Sequence, residues 1–258
     1  MSVTSLHGIS VGKKSVAPTN HFYDKHNPPA GMETQFWFWC AQDDEGGVIL
    51  IDQGCNQEIV DEMKIPFQMK LGPQHMLEAL EIRPEDVRHV ILTHLHWDHF
   101  AGDFIYPNAT YHVHEKELQH LTGKLMRFPL YSQHYYLPAA KKLLDLLYSG
   151  KLKVISDDAG KINEDVEYVR LGGHTPGLMA VVIKNKDKNY IICSDVLPRY
   201  QNLEECIACG IHYNVTEALE AQEKIKEIAS TSETVLPGHD PLIVEKFPVV
   251  QEGIVKIF

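Results

Sequence analysis

The pattern of hydrophobic and polar positions along the chain predicts short strands grouped into hairpins. Two apolar runs, at 35–41 and 47–52, flank a turn rich in Asp and Gly, which predicts a β-hairpin. The run 89–93 contains three successive aliphatic residues, a pattern typical of a strand covered on both faces of its sheet. A second hairpin is predicted where the runs 178–184 and 189–194 flank a polar turn.

Helices are predicted between these strands, and the alternation indicates the fold class. Helical spacing of apolar residues covers 74–81 after Pro73, as well as 115–121, 139–148 and 216–230, where Thr216 is the predicted cap. Further short strands are predicted at 110–114, 154–156, 166–171 and 234–236. Two runs of strands and helices, each ending in polar loops, indicate an α/β fold with two sheets face to face and helices outside. Periodicity alone does not separate this sandwich from other α/β layouts. Since no repeat or long linker interrupts the pattern, we expect a single domain over 1–258.

A dense group of ligand-type residues follows the strand predicted at 89–93. His94 and His96 are two positions apart on an extended segment, so their side chains point the same way and could share one metal ion. Asp98 and His99 follow at once and could turn to a second ion close by. Imidazole and carboxylate ligands suit zinc, with iron, cobalt or manganese as alternatives. A strand end that is rich in histidine by chance is the competing interpretation.

Three further candidate ligands lie downstream, each at the end of a predicted strand. His174 lies in a turn rich in glycine, Asp195 ends the strand 189–194, and His239 follows Gly238. A glycine beside each histidine allows the backbone to turn sharply and approach closely. Each residue alone is more typical of a structural turn. Their joint occurrence at strand ends predicts that they complete the metal site.

Composition and charge restrict the partners. The 258 residues include 24 basic and 35 acidic side chains, a formal net charge of -11, which argues against nucleic acid or an anionic membrane as a partner. Residues 1–10 lack the basic start and long apolar run of a secretory signal, and no apolar stretch is long enough for a membrane span. Five cysteines form no disulfide framework, so we expect a reducing, cytoplasmic location. Cys206 and Cys209 have the spacing of half a zinc site, but without a second pair we interpret them as ordinary buried cysteines.

The sequence resembles the metallo-β-lactamase superfamily of hydrolases over nearly its whole length. The matching motifs are 93–99 (THLHWDH), 173–177 (GHTPG), Asp195 and 238–239 (GH), in that order, and 51–54 (IDQG) is similar to an early turn of the family. The resemblance implies an αββα sandwich of two mixed sheets flanked by helices, and it implies two metal ions. It implies that one ion is held by His94, His96 and His174, the other by Asp98, His99 and His239, and that Asp195 bridges the two.

Metal chemistry then suggests a mechanism. Water that bridges two divalent ions has a strongly lowered pKa, so that it exists as hydroxide near neutral pH and can attack a carbonyl or phosphoryl centre. Asp98 and Asp195 would offset the positive charge of the ions. Asp52 is either an acceptor for the second ring nitrogen of a ligand histidine or a simple turn residue.

Within the superfamily the layout is most similar to N-acyl-homoserine lactonases, which act in quorum quenching, and to related small-lactone hydrolases. Shared features include the hairpin before Asp52 and the segment 83–87 (RPEDV). Those lactonases carry a Tyr three residues after the bridging Asp, where this chain has Pro198; Tyr200 is the candidate replacement. The resemblance therefore implies a small lactone or other ester as substrate, with Asp98, Asp195 and Tyr200 as the candidate catalytic residues.

Several alternatives stay open. A thioester hydrolase of the hydroxyacylglutathione type needs a basic C-terminal region, whereas 243–258 contains only Lys246 and Lys256. A persulfide dioxygenase-like enzyme with one iron, a nuclease and a non-enzymatic metal-binding protein are the others. A homodimer is also open if aromatic residues at 125–136 are exposed. Candidates for lining a substrate pocket, with core packing as the competing interpretation, are His21, Phe22, Met32, Phe36, Phe38, Phe128, Tyr131, His134, Tyr135 and Tyr136.

Overall fold

The computed structural model describes residues 2–23, 31–69 and 71–258, which form two β-sheets and eight α-helices. The larger sheet begins with seven strands between Val3 and Ile155. They are β1 (Val3–Val16), β2 (Met32–Asp43), β3 (Val48–Ile51), β4 (Gln68–Met69), β5 (Val87–Ile91), β6 (Thr110–His114) and β7 (Leu152–Ile155). The smaller sheet contains β8 (Ala159–Lys161), β9 (Val166–Arg170), β10 (Met179–Asn185), β11 (Lys188–Ser194) and β12 (Val235–Pro237).

The chain returns to the larger sheet at its end, through β13 (Val249–Gln251) and β14 (Ile254–Lys256). The strand order there is β13-β14-β1-β2-β3-β5-β6-β7, with β4 paired to β1, and the smaller sheet has the order β12-β11-β10-β9-β8. Both sheets are mixed, since β3, β5, β6 and β7 pair in parallel in the first, as do β11 and β12 in the second. The helices are α1 (Gln57–Glu62), α2 (Pro73–Glu78), α3 (Glu115–Leu121), α4 (Pro129–Ser132), α5 (Leu137–Tyr148), α6 (Tyr200–Glu204), α7 (Val215–Ile228) and α8 (Ile243–Lys246).

Three apolar layers hold the sandwich together. On β2 the side chains alternate: Trp37 and Trp39 pack between the two sheets, while Phe36 and Phe38 pack on the outer face, under α1, α2 and α5. A third layer lies between the smaller sheet and α7, where Ala218 and Ile225 are buried. Full burial of one large side chain contributes about 1.5 to 3 kcal/mol, so the layers as a set stabilise the fold. The αββα sandwich of two mixed sheets is confirmed.

Most predicted elements are present, with shifted ends. Both hairpins form, and the helix predicted at 115–121 and the strand at 110–114 have the predicted bounds. The predicted cap Thr216 is wrong: the side chain of Asn214 accepts the N–H groups of Thr216 and Glu217 at the start of α7. No helix in the described part of the chain is long and apolar enough to cross a membrane.

The longest strand, β1, was not predicted from the pattern. Its register against β2 shifts between Ser10 and Gly12, and such a β-bulge breaks the alternation that identifies a strand. Gly8 adds a second interruption, but it is needed there because a Cβ would lie 2.9 Å from the Trp39 ring. The strand is thus specified by long-range packing, which periodicity does not report.

Candidate metal centre

All seven predicted ligand residues lie at one edge of the sandwich. Residues 94–99 follow β5 of the larger sheet, and the other three follow strands of the smaller sheet: His174 after β9, Asp195 after β11 and His239 after β12. β9, β11 and β12 run in the same direction, so their carboxyl ends share one edge. The two sheets therefore contribute the two halves of the cluster.

The ligand atoms form two groups that share one carboxylate. The first consists of His94, His96, His174 and Asp195, and the second of Asp98, His99, Asp195 and His239; within each group the ligand atoms lie within 4.8 Å of one another. All seven residues are buried. The two groups contain the residues of the two sets expected from the sequence, with Asp195 common to both, and their role as metal ligands stays a prediction.

The distances within the groups suit tetrahedral coordination. Asp195 Oδ2 lies 3.0 Å from His239 Nε2, 3.6 Å from His174 Nε2 and 3.9 Å from His94 Nε2. Asp195 Oδ1 lies 3.2 Å from His99 Nε2. Two ligands at about 2.1 Å from a tetrahedral zinc ion are about 3.4 Å apart. The observed separations scatter around that value.

Three ligand atoms of the cluster are buried without a hydrogen bond. They are His94 Nε2, His99 Nε2 and Asp195 Oδ1, none of which makes a hydrogen bond with any described residue. A buried polar atom without a partner is costly, and it needs an explanation such as an ion. His99 Nε2 is close to two carboxylates and still not aligned with either as a donor. The donor set therefore fits metal ions between the side chains.

Hydrogen bonds behind the cluster orient the rings. His174 Nδ1 lies 2.6 Å from the carbonyl oxygen of Ile211, and His239 Nδ1 lies 2.8 Å from that of Gln35. An Nδ1–H that donates to these acceptors leaves Nε2 as the free ligand atom, the usual arrangement of metal-binding histidines. His96 differs, since its Nδ1 faces the cluster, 3.0 Å from His174 Nε2.

Asp52 lies at the centre of the network that supports residues 93–99. Its Oδ1 accepts the N–H of Thr93 at 2.8 Å, and its Oδ2 accepts the Thr93 hydroxyl at 2.8 Å and His99 Nδ1–H at 2.7 Å. The backbone at Asp52 has φ 60, a conformation that non-glycine residues adopt uncommonly. Of the two roles left open by the sequence, acceptance from a candidate ligand histidine is confirmed.

The buried carboxylates impose a need for positive charge. Burial disfavours a charged His99, but the carboxylates of Asp195, Asp98 and Asp52 together raise the pKa of His99 well above its ordinary value. Burial likewise opposes protonation of His239, and Asp195 raises the pKa of His239 despite it. In the opposite sense, His239 and His99 hold the pKa of Asp195 well below its usual range against its burial. A divalent cation would supply the same compensation with neutral imidazoles.

A cavity of about 150 Å³ opens onto the cluster. Its walls include Phe36, Trp97, His134 and Pro198, so Phe36 and His134 of the predicted pocket candidates do reach the site. Lys14, from the unpredicted strand β1, also lines this cavity, and burial lowers the pKa of Lys14 against the attraction of Asp98. The sequence pattern carried no signal for Lys14, because its strand was not recognised.

Tyr200 lies elsewhere. It is 7% exposed, packs in the layer between the sheets and has Lys246 over its ring at 4.5 Å. It is not among the described residues that line the cavity at the metal cluster. The expectation that Tyr200 replaces the missing Tyr at Pro198 is therefore not supported by its position. Its backbone N–H donates to Asp240 Oδ2 at 2.9 Å.

The remaining candidates are distributed between cavity and core. His21 lines the cavity at the cluster, whereas Phe22 and Phe38 are buried in the core. Of the two cysteines, Cys209 is buried, but Cys206 is exposed, which corrects that half of the expectation; both are free thiols.

Glu117 of α3 is a buried acid that the sequence analysis missed. Its Oε1 accepts the N–H of Gly177 at 2.8 Å, at the end of the turn that carries His174. Burial raises the pKa of Glu117 to about 7, against the hydrogen bond from Gly177. The side chain thus connects α3 to the turn after β9.

Comparisons with known proteins identify the family of this chain. A sequence profile described as "Metallo-beta-lactamase superfamily" matches residues 37–239. A protein of Methanocaldococcus jannaschii described as a "probable metallo-hydrolase" is 27% identical over 170 residues, which cover 66% of this chain and 65% of that protein. The N-acyl homoserine lactonase AttM of Rhizobium radiobacter is 24% identical over 198 residues, covering 74% of this chain and 65% of that protein. The matches thus span 65% of the length of both relatives.

Solved structures show the same fold. A quorum-quenching N-acyl homoserine lactone lactonase is similar with a TM-score of 0.79 and 20% identity, covering 97% of this chain and 98% of that one. The dizinc quorum-quenching lactonase AidC has a TM-score of 0.70 and 15% identity, covering 99% of this chain and 96% of that one. The αββα sandwich carries a buried cluster of His and Asp side chains whose two groups could hold metal ions. The chain belongs to the metallo-β-lactamase superfamily.

Proposed function

We propose that this protein is a dinuclear metal-dependent hydrolase that opens a lactone or a related carboxylic ester. The observation that carries the proposal is the pair of buried ligand groups that share Asp195. In this proposal His94, His96 and His174 would hold one ion and Asp98, His99 and His239 the other, with Asp195 available to both. Zinc is the proposed metal, because His and Asp ligands at tetrahedral spacing suit it.

Charge balance supports two ions rather than one. Asp52, Asp98 and Asp195 are buried carboxylates at the cluster. Together with one hydroxide they carry four negative charges, which two divalent ions neutralise while every histidine stays neutral. A single divalent ion would leave buried negative charge, which is strongly unfavourable in a low-dielectric interior. This argument disfavours the mononuclear iron alternative.

The chain's own residues would prepare the reaction. When bound, the ions supply Lewis acidity and an activated water near neutral pH. Asp52 holds His99 in the tautomer that presents Nε2, and Ile211 does the same for His174. Lys14 at the cavity wall can attract negative charge that develops on the substrate. We propose no substrate contact for Tyr200.

An uncharged ester fits the surroundings better than a glutathione thioester. Of the two tail lysines, Lys246 covers the Tyr200 ring and Lys256 belongs to β14. Neither is among the described residues that line the cavity, where Lys14 is the single Lys or Arg side chain described. An anionic tripeptide would require more cationic contacts than one.

The test is metal analysis followed by a substrate panel. Purified protein, loaded with Zn²⁺, is assayed by proton release on γ-butyrolactones, N-acyl homoserine lactones, a glutathione thioester and a phosphodiester. We expect two ions per chain and turnover of lactones above the other classes. Turnover of the thioester or the phosphodiester with inert lactones would show that the substrate class is wrong.

Ligand variants test the site itself. We expect His96→Ala and Asp195→Ala to lose metal and activity together. His75→Ala, in α2, is the matched control, since His75 lies outside both ligand groups and should retain metal and activity. Full activity in either ligand variant would contradict the assignment.

We also propose a single domain over 1–258 in a reducing, cytoplasmic compartment. Each of the five cysteines is a free thiol, which agrees with such a compartment.

A homodimer is the proposed alternative to a monomer, based on exposed Phe128 and Leu130 in the aromatic segment. Subcellular fractionation tests the location, and recovery of the protein outside the cytoplasm would contradict it. Limited proteolysis tests the single domain, which two stable fragments would contradict. Equilibrium sedimentation tests the assembly, and a sample that contains only monomer would contradict the homodimer.

A further inference from the structure

A second cavity, of about 480 Å³, adjoins the metal cluster. His96 and His174 line both cavities, so a substrate bound at the cluster can extend past these two rings into the larger space. The volume lies within the range of about 300 to 1,000 Å³ that is typical of small-molecule sites. The chemistry of this cavity therefore determines which substituents on the substrate the protein can bind.

The wall of this cavity is built from rings. It includes His120, Tyr131, His134, Tyr135, His212 and Tyr213. The rings form a continuous series outward from the metal cluster: the Tyr135 centroid lies 4.9 Å from that of His96, and that of His120 lies 6.0 Å from Tyr135. Tyr213 and Tyr131 continue it, 5.4 Å and 5.8 Å from His120. The rings of this series are inclined by 58° to 87°, so both faces and edges are presented.

The same wall has no charged side chain. Among the described residues that line this cavity there is no Lys, Arg, Asp or Glu. Burial lowers the pKa of His120, which disfavours a positive charge on that ring. Leu130 and Ile211 are the only aliphatic side chains described there, so the apolar surface is mostly aromatic.

We infer that this cavity, here named the ring pocket, binds an uncharged aromatic substituent of the substrate. The inference rests on the proposed ester hydrolysis, because it assigns the group that lies beside the reacting bond. A planar ring placed among inclined rings gains edge-to-face or stacked contacts beyond the apolar area that it buries. A saturated substituent of similar size gains only the burial. The pocket therefore selects aryl over alkyl substituents.

Two matched ligand pairs separate the inference from the proposed function. The lactones γ-phenyl-γ-butyrolactone and γ-cyclohexyl-γ-butyrolactone test hydrolysis. In both, the ring substituent is not part of the ester bond that is hydrolysed. The corresponding 5-substituted pyrrolidin-2-ones, which are lactams, test binding to the Zn²⁺-loaded protein by calorimetry. One aromatic contact corresponds to roughly a 2- to 12-fold difference in affinity. We expect the phenyl lactam to bind at least about 2-fold more tightly than the cyclohexyl lactam.

Variants locate the effect in the ring pocket. Tyr213→Leu and Tyr131→Leu keep an apolar side chain and remove the ring; Tyr213 is 42% exposed, so the change is tolerable for folding. We expect each to weaken phenyl lactam binding roughly 2- to 12-fold, with cyclohexyl lactam affinity and metal content unchanged. Tyr148→Leu, at a side chain that is 89% exposed and outside the pocket, is the control and should change neither affinity.

Each outcome decides the inference. Equal affinities for the two lactams, no binding of either, or a phenyl preference that persists in both pocket variants would overturn it. A phenyl preference lost in the pocket variants and retained in Tyr148→Leu would support it. If neither lactone is hydrolysed while the lactam preference is found, the proposed lactone hydrolysis fails and the aromatic pocket stands.

Discussion

Single side chains behind the candidate ligands determine how the site is prepared. Asp52 is the clearest case, because one carboxylate accepts from Thr93 and from His99 and so orders the loop and a ring at once. Such acceptors behind metal-binding histidines set the tautomer and increase ligand basicity. Replacing a carboxylate oxygen by an NH₂ group would place a donor against the His99 Nδ1–H.

We therefore predict that Asp52→Asn weakens metal binding. The expected loss is about 10- to 100-fold in affinity, with the fold retained, because the amide keeps the shape of the side chain. Competition with a chelator of known affinity measures it. Asp44→Asn is the control, since Asp44 also accepts a backbone N–H but on the surface. Equal affinities in wild type and Asp52→Asn would refute the role.

The buried acid Glu117 makes a pH-dependent contribution to stability. Its pKa is raised to about 7 from an ordinary value of 4.5. Between these values the folded protein holds a proton that the unfolded chain releases, so stability falls as pH rises through this interval. The fall amounts to about 3 kcal/mol, because one pKa unit corresponds to about 1.4 kcal/mol.

Glu117→Gln should remove that pH dependence. We predict that the variant gains up to about 3 kcal/mol in free energy of unfolding relative to wild type between pH 5 and pH 8, measured by urea denaturation at each pH. Glu115→Gln, in the same turn of α3, supplies the matched control. If the difference in free energy of unfolding between wild type and Glu117→Gln is the same at every pH, the prediction is contradicted.

At the scale of elements, the start of α7 supports the turn that carries His174. The N–H groups of Tyr213 and Asn214 donate to the carbonyl oxygen of Gly173, and Glu217 accepts the N–H of Gly173. Asn214 caps the helix through Thr216 and Glu217. Helix and turn therefore stabilise each other.

We predict that Asn214→Ala lowers the free energy of unfolding by about 1 kcal/mol, the usual effect of losing an N-cap side chain. For a chain of this size that corresponds to about 2 to 4 °C in melting temperature, measured by calorimetry. Thr216→Ala, at the residue that the sequence pattern indicated as the cap, should lower the free energy of unfolding by less. A larger loss in Thr216→Ala than in Asn214→Ala would restore Thr216 as the cap of α7.

Elements were predictable where a local signal existed. Residues 110–121 have both strand alternation and helical spacing, and the structure has the predicted bounds there. β1 was not predictable because its bulge and Gly8 are explained only by contacts with β2. For the site, dense ligand residues identified the cluster, whereas Lys14 and Glu117 are brought to it by tertiary packing and have no local signature.

At the scale of the whole molecule, metal binding and stability should be linked. If two ions bind as proposed, each adds about 2.7 kcal/mol at a free metal concentration a hundredfold above its Kd. Chelation should then lower the melting temperature by roughly 5 to 11 °C per ion. Calorimetry with and without a chelator measures this. His96→Ala, which we expect to lack metal, should show a much smaller shift.

The effect of chelation should grow with pH. Without metal, protonated His99 and His239 neutralise the carboxylates, and their pKa values are raised in the folded state. That stabilisation is complete below the ordinary histidine pKa of about 6.5 and is lost as pH rises through the folded values. We expect a larger loss of melting temperature on chelation at pH 9 than at pH 6. An equal loss at both would contradict the charge argument.

The origin of the ligands in both sheets has a consequence for motion. Residues 94–99 extend from the larger sheet, while His174, Asp195 and His239 extend from the smaller one. Bound ions would join the two sheets as a crosslink does, in a chain whose five cysteines are free. Hydrogen exchange in the loaded protein would then report one cooperative opening of both sheets. After chelation, amides of the smaller sheet could exchange independently, so the ions would set which parts of the sandwich open together.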